Sequence, residues 1–170
     1  DAILGGATLE KTFTCMKELR QEGVKLPIVF MMYYNTVLHY GMTAFAEKCR
    51  ACGVDGLIIP DLPFEEQEEL QNALDESNAK AEQETILIQL VSPVSKNRVP
   101  MILENARGFV YRVSSMGVTG QEASFHREVM SYLANVKEIS KIPVMMGFGI
   151  RTAEDVAPMK DVIDGAIVGT

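Results

Sequence analysis

Short apolar segments alternate with amphipathic segments along the whole chain. The apolar, β-rich runs are residues 28–33, 56–61, 86–91, 109–114, 144–148 and 165–169. The amphipathic stretches are residues 9–22, 43–52, 65–77, 97–105, 125–139 and 153–163. Strands that are apolar on both faces and separated by helices form a parallel sheet covered by helices, so the pattern predicts an α/β fold with parallel strands.

Capping residues support these helix boundaries. Thr8 and Thr152 each precede an amphipathic stretch, and acidic residues follow them in the first turn, where they oppose the helix dipole. Gly23 and Gly53 occupy positions where a left-handed cap would end a helix. The uncharged stretch 26–46 is interrupted by Pro27 and by other polar or flexible residues. We interpret it as a buried strand that runs into a loop, and not as a membrane span.

Length and charge limit the possible functions. A chain of 170 residues with 47% hydrophobic residues predicts one domain. A net charge of −7 argues against a nucleic-acid partner, and no basic run suggests binding to a membrane. Three cysteines are too few for a disulfide framework and indicate a reducing, cytoplasmic compartment. The pair Cys49 and Cys52 is interpreted as an ordinary helix end, and we predict neither a metal site nor a cofactor.

Glycine-bearing segments follow three successive apolar runs. They are Ser-Ser-Met-Gly-Val-Thr-Gly at 114–120, Gly-Phe-Gly at 147–149 and Gly-Thr at 169–170. Glycine lets backbone N–H groups approach an anion closely, so three neighbouring strand ends could hold a phosphate without Lys or Arg. Each glycine alone is explained as well by crowding in a tight strand-to-helix turn. The repetition on successive strands favours a binding site.

Two architectures fit a parallel βα chain: the open doubly wound sheet and the closed eight-stranded barrel. No G-x-G-x-x-G follows the first strand, which weakens the dinucleotide-binding alternative. Phosphate-type turns in the last strands favour the barrel, whose phosphate site commonly uses the loops after strands seven and eight. The chain would then hold strands three to eight, about six βα units of a partial (βα)8 barrel.

Four segments together carry a family resemblance. They are Tyr-Tyr-Asn at 33–35, Gly-Val-Asp-Gly-Leu-Ile-Ile-Pro-Asp-Leu-Pro at 53–63, Gly-Val-Thr-Gly at 117–120 and Gly-Phe-Gly-Ile at 147–150. In this order and at these intervals they resemble the tryptophan synthase alpha subunit family, a (βα)8 barrel. The resemblance implies a lyase of tryptophan biosynthesis that cleaves indole-3-glycerol phosphate to indole and glyceraldehyde 3-phosphate. It also implies a beta subunit as partner in an α2β2 complex.

The resemblance also implies roles for individual residues. The phosphate cradle would be Gly120, Gly149, Gly169 and Thr170. Other matches to positions close to substrate are Phe148, Thr119 and Tyr111, with Tyr33 and Ile58 near the indole. Asn35 and Pro63 match positions that face the beta subunit. The aspartate matching Asp61 orders a mobile loop in the family, with simple turn capping as the alternative.

The chain departs from the family pattern most strongly in its catalytic groups. The family's glutamate and aspartate belong to a segment of the form E-x-G-x-P-F-S-D-P, which does not occur in the 170 residues. We therefore assign no catalytic residue and expect a fragment of a longer enzyme with negligible lyase activity alone. Smaller departures, Thr36 and Phe64 where Pro is common, make the subunit interface less certain.

Two alternatives stay open. The chain could be a non-catalytic module that binds a phosphate or docks on a partner. It could also serve a related barrel enzyme that acts on a ribulose phosphate. Indole release by the full-length gene product separates the lyase from both.

Overall fold

A computed structural model describes residues 5–113, 131–132, 134–147, 150 and 152–169. The strands are β1 (Val29–Met31), β2 (Gly56–Ile58), β3 (Ile86–Leu87), β4 (Gln89–Val91), β5 (Val110–Val113), β6 (Val144–Gly147) and β7 (Gly165–Ile167). The helices are α1 (Leu9–Gln21), α2 (Tyr34–Tyr40), α3 (Met42–Cys52), α4 (Glu68–Asn78), α5 (Val99–Leu103), α6 (131–132 and 134–139) and α7 (Ala153–Val156). Short 3-10 turns occupy Phe64–Glu66, Pro93–Ser95 and Ala157–Met159.

The chain divides into two compact units, Asp1–Leu87 and Ile88–Thr170. The first contains a sheet of order β1-β2-β3, and the second contains a sheet of order β4-β5-β6-β7. Every strand pair within these two sheets is parallel. The predicted α/β class with parallel strands is confirmed, and the expected strand at 86–91 is divided between β3 and β4.

Helix α2 corrects the prediction for the segment after the first strand. Residues 34–40 form a helix where we expected a loop. Val37 on this helix is fully buried, and Gly41 ends the helix with a φ of 91°. The sequence pattern missed this helix because its seven residues are too few to show a period and Tyr33 provides no side-chain cap. In the described part of the chain, none of the helices combines the length and apolar character needed to cross a membrane.

The predicted helix caps are confirmed. The Lys11 N–H donates to the Thr8 hydroxyl over 3.3 Å, and the Thr152 N–H donates to the Asp155 carboxylate over 2.9 Å. Gly53 ends α3 in the left-handed conformation with a φ of 78°. Cys49 and Cys52 are free thiols buried on that last turn, and burial raises the pKa of both. The Cys-x-x-Cys segment is thus the ordinary helix end that the sequence predicted.

Aromatic packing joins the helices of the first unit to its sheet. The Phe13 ring lies 5.7 Å from the rings of both Phe30 and Tyr40, and 5.9 Å from that of Phe45, between centroids. The Tyr40 hydroxyl donates to the Glu10 carboxylate over 2.7 Å, so the start of α1 is bonded to the end of α2. This hydrogen bond, together with burial, raises the pKa of Tyr40 to about 12.

The raised pKa predicts a loss of stability at alkaline pH. The folded state favours the neutral phenol of Tyr40, so the contribution of this phenol to folding stability is complete below the unfolded pKa of about 10. It is lost as the pH rises towards 12, the pKa in the folded chain. We expect the free energy of unfolding, measured by urea titration across this range, to fall less in Tyr40→Phe than in wild type. Tyr33→Phe, which alters an exposed side chain, is the control and should keep the wild-type slope.

One arrangement at the start of a strand occurs in both units. The carboxylate of Asp55 accepts from the Ile28 N–H over 2.7 Å, and that of Asp164 accepts from the Val144 N–H over 2.8 Å. Each aspartate also donates its own N–H to the carbonyl of the same opposite residue. A helix cation completes each site: Arg20 lies 2.5 Å from Asp55, and Lys137 lies 2.5 Å from Asp164. The Asp-Gly pairs at the starts of β2 and β7 therefore connect each sheet to a helix at the amino ends of the strands.

Candidate functional site

The strand ends of the first unit lie level with each other. Met31 pairs with Ile58 at the ends of β1 and β2, and the Met32 N–H donates to the Ile58 carbonyl over 3.1 Å. The carboxyl ends of parallel strands are where ligands bind in α/β folds. The register therefore places the segments after β1 and β2, which contain the predicted site residues of this unit, at one edge of the sheet.

Asp61 connects these two segments directly. Its carboxylate accepts from the Tyr34 N–H over 2.8 Å, across 27 positions of sequence. Tyr34 is the first residue of α2, where backbone N–H groups have no partner inside the helix. Asp61 thus supplies the cap that Tyr33 lacks. This contact supports the capping role weighed for Asp61, and its role in ordering a further loop stays a prediction.

Two substitutions separate these roles. Asp61→Ala removes the acceptor and should lower the free energy of unfolding by about 1 kcal/mol, the usual cost of a lost helix cap. Asp61→Asn keeps an oxygen acceptor and should lose less than half of that in urea denaturation. If both variants keep wild-type stability, the bond to Tyr34 contributes nothing and the capping assignment fails.

The other predicted residues of the first unit differ in exposure. The Tyr33 side chain is 67% exposed at the start of α2, whereas Ile58 is 5% exposed within the sheet. Asn35 and Pro63 are both exposed. Tyr34, which the sequence did not single out as a site residue, donates its hydroxyl to the Met42 sulfur over 3.4 Å. Burial, together with the charges of Glu69 and Glu66, raises the pKa of Tyr34.

Three strand ends of the second unit are also level. Val113 pairs with Gly147, and Gly147 pairs with Ile167, at the ends of β5, β6 and β7. The strands that precede the three glycine-bearing segments thus end at one edge of the sheet and are neighbours in it, as the sequence predicted. Gly169 is exposed, and a Cβ added there would meet no atom of the described residues within 4 Å. Crowding by those residues does not explain this glycine.

Gly147 makes room for Tyr111. A Cβ at Gly147 would lie 2.1 Å from the Tyr111 hydroxyl oxygen and 2.4 Å from the ring carbon that bears it. Tyr111 is 4% exposed, and burial raises its pKa. Gly147 therefore relieves crowding, the alternative weighed for each glycine, and it fixes where the phenol of Tyr111 can lie. The sequence alone gave no sign that these residues, 36 positions apart, are in contact.

Five predicted site residues lie outside the described residues. They are Thr119, Gly120, Phe148, Gly149 and Thr170. Their assignment to the substrate and phosphate site stays a prediction. Within the described ranges, no group of three or more His, Cys, Asp or Glu side chains is placed to hold a metal ion.

Comparison with known proteins identifies similar chains. A family model described as tryptophan synthase alpha chain matches residues 1–170. The tryptophan synthase alpha chain of Lachnospira eligens is 64% identical over 169 residues, covering 99% of this chain and 62% of the relative. That of Shouchella clausii is 41% identical, covering 99% of this chain and 61% of the relative. The chain thus spans about three fifths of the length of the curated relatives it matches.

Solved structures show the same similarity. Tryptophan synthase subunit alpha from Campylobacter jejuni has a TM-score of 0.83 at 32% identity, covering 99% of this chain and 64% of that one. A chain of the tryptophan synthase complex from Pyrococcus furiosus has a TM-score of 0.81 at 29% identity, with 99% and 65% covered. These similarities confirm the predicted fold class, a partial (βα)8 barrel with parallel strands.

Proposed function

The chain belongs to the tryptophan synthase alpha chain family, and on that basis we propose that it serves the lyase reaction of tryptophan biosynthesis. The reaction is the retro-aldol cleavage of indole-3-glycerol phosphate to indole and glyceraldehyde 3-phosphate. The observation that carries the proposal is the level register of β5, β6 and β7, because a glycine-bearing segment follows each of these strands.

The reaction defines what its site must supply. A proton is added to the indole ring carbon while the neighbouring glycerol hydroxyl loses one, so the carbon–carbon bond breaks and an aldehyde forms. Two carboxyl groups in apolar surroundings suit these transfers, since burial moves their pKa towards neutrality. The family's carboxylate segment does not occur within these 170 residues. We therefore propose binding roles for this chain's residues and no catalytic ones.

We propose that the second unit holds the phosphate. Backbone N–H groups of Gly120, Gly149, Gly169 and Thr170 would donate to its oxygens, as the family resemblance implies. Gly169 is exposed and carries no side chain that could shield its own amide, which supports this role. Tyr111, Thr119 and Phe148 would contact the rest of the substrate. The phenol of Tyr111 occupies the space left by the missing side chain of Gly147.

We propose that Tyr33 and Ile58 of the first unit contact the indole group. The apolar side chain of Ile58 and the ring of Tyr33 suit a flat aromatic ligand. Asp61 would support this region by holding the start of α2. The carboxylate of Asp61 would also order a neighbouring loop, the role that the resemblance implies.

We also propose a beta-type subunit as partner. Asn35 and Pro63 are exposed, and the apolar Leu38 on α2 is 51% exposed. These three side chains are therefore accessible to a partner. The Pyrococcus furiosus relative is described as part of an a2b2 complex. Three free cysteines support a reducing compartment, and we propose the cytoplasm.

Phosphate binding by this chain provides the first test. Calorimetric titration with glycerol 3-phosphate should show binding, which Gly169→Asp should weaken by about tenfold or more through repulsion between like charges. Ala157→Asp adds the same charge to the turn before β7 and serves as the control, with wild-type binding expected. Equal binding by both variants would remove Gly169 from the phosphate site.

Indole release provides the second test. We expect negligible indole from this chain with indole-3-glycerol phosphate, and release by the product of the whole coding region. Phosphate binding without indole release by that product would favour the non-catalytic binding module. Indole formation by the 170-residue chain at the rate of a complete relative would show that our account of the carboxylates is wrong.

A further inference from the structure

A cavity of about 400 Å³ lies between α5 and the end of α6 in the second unit. Its wall combines four apolar side chains with one carboxylate and one ammonium group. The lining residues are Pro100, Met101, Leu103, Glu104, Ile139 and Lys141. A volume of this size, with apolar walls and a few polar groups, is typical of small-molecule sites.

The packing of the two helices leaves these side chains facing away from the core. Val99 and Ile102 of α5 are 1% and 3% exposed, so the positions between and after them point outwards. Met101 is accordingly 45% exposed on the cavity wall. On α6, Val136 is fully buried and Ile139 is half-buried. The cavity therefore contains apolar surface that neither helix covers.

Glu104 and Lys141 place opposite charges on the wall of this cavity. Among the residues that the structure describes, neither side chain forms an ion pair or a hydrogen bond. Both residues are exposed. Two opposite charges that share a cavity without pairing with each other are accessible to a ligand that carries both signs.

We propose that this cavity binds a free α-amino acid with an apolar side chain. Lys141 would donate to the carboxylate of the ligand, and the ammonium group of the ligand would donate to the Glu104 carboxylate. The ligand's side chain would pack on the apolar wall, where its burial provides the hydrophobic part of the binding free energy. A simple anion is repelled by Glu104 and a simple cation by Lys141, so this pair of charges selects a zwitterion.

The chain's connections separate this cavity from the proposed phosphate site. Helix α5 ends at Leu103, before β5 begins at Val110, and α6 ends at residue 139, before β6 begins at Val144. The cavity thus lies towards the amino ends of β5 and β6, whereas the glycine-bearing segments follow carboxyl ends. The amino acid and the phosphate would therefore bind without competing.

Calorimetric titration with L-tryptophan and with L-leucine tests the proposal. At least one of them should bind with a Kd of about 1 mM, as expected for a small ligand held by few contacts. The amine that lacks its carboxylate and the acid that lacks its ammonium group should each bind about tenfold more weakly or worse, because each loses a charge-assisted hydrogen bond. For L-tryptophan these analogues are tryptamine and indole-3-propionate.

Substitutions at exposed positions, where folding is preserved, assign the two charges. Glu104→Gln and Lys141→Gln should each weaken binding by about fivefold or more. Glu138→Gln and Lys160→Gln remove exposed charges outside the cavity and should keep the wild-type affinity. Gly169→Asp should also bind the amino acid as the wild type does, whatever its effect on phosphate binding.

Amide NMR spectra recorded during the titration locate the ligand, and the shift changes should concentrate in residues 100–104 and 139–141. Three results would each overturn the proposal. They are no binding of either amino acid at about 10 mM, equal affinity for the zwitterion and its singly charged analogues, and unchanged affinity in both Glu104→Gln and Lys141→Gln.

Discussion

Gly147→Ala is expected to lower the free energy of unfolding by about 3 kcal/mol, the upper part of the range for an overpacked core. The added methyl carbon would lie 2.1 Å from the hydroxyl oxygen of Tyr111, far inside van der Waals contact. Gly147 is paired with strands on both sides, so the backbone cannot easily move away. Urea denaturation followed by circular dichroism measures the loss.

Two variants show whether Tyr111 is the cause. Gly169→Ala is the matched control, because no atom of the residues that the structure describes lies within 4 Å of the new carbon, and it should change stability by less than about 0.5 kcal/mol. In a Tyr111→Ala background the ring is gone, so adding Gly147→Ala should cost less than about 1 kcal/mol. A full loss in that background would place the strain elsewhere than at the phenol.

Asp55→Ala is expected to cost about 2–3 kcal/mol, because it leaves the Ile28 N–H and one Arg20 donor without their acceptor. Arg20 also donates to the carbonyls of Gly53, Val24 and Leu26, so the two residues join the end of α1 to the starts of two strands. The Arg20 and Asp55 side chains are 22% and 35% exposed, which keeps the loss below that of a fully buried pair. The same denaturation experiment measures it.

An ion pair of the same unit serves as the control. Glu47 and Lys80 pair at the surface with side chains 45% and 53% exposed, so Glu47→Ala should cost clearly less than Asp55→Ala. Asp164→Ala tests the second copy of the arrangement and should exceed that control, because the Val144 N–H loses its acceptor. If Asp55→Ala costs no more than Glu47→Ala, the bonds at the strand starts add nothing beyond a surface ion pair.

Much of the fold was predictable from local patterns. Alternating apolar and amphipathic runs predicted the parallel α/β class, and Thr8 and Gly53 correctly marked helix ends. Helix α2 was not predictable, because the group that caps it, Asp61, comes from another strand end 27 residues later. The repeated Asp-Gly before β2 and β7 was visible in the sequence. Its role is visible only in the structure, where both carboxylates accept hydrogen bonds from N–H groups at the start of a neighbouring strand.

For the candidate site, the sequence predicted which segments would bind a phosphate, because glycines after successive apolar runs reflect a local backbone requirement. Only the tertiary structure decided that three of those runs end level and that Gly147 leaves the space occupied by the Tyr111 ring. The physical reason is the same in each case. Hydrophobic period and capping act over a few residues, whereas register, close packing and charge burial depend on which distant residues meet.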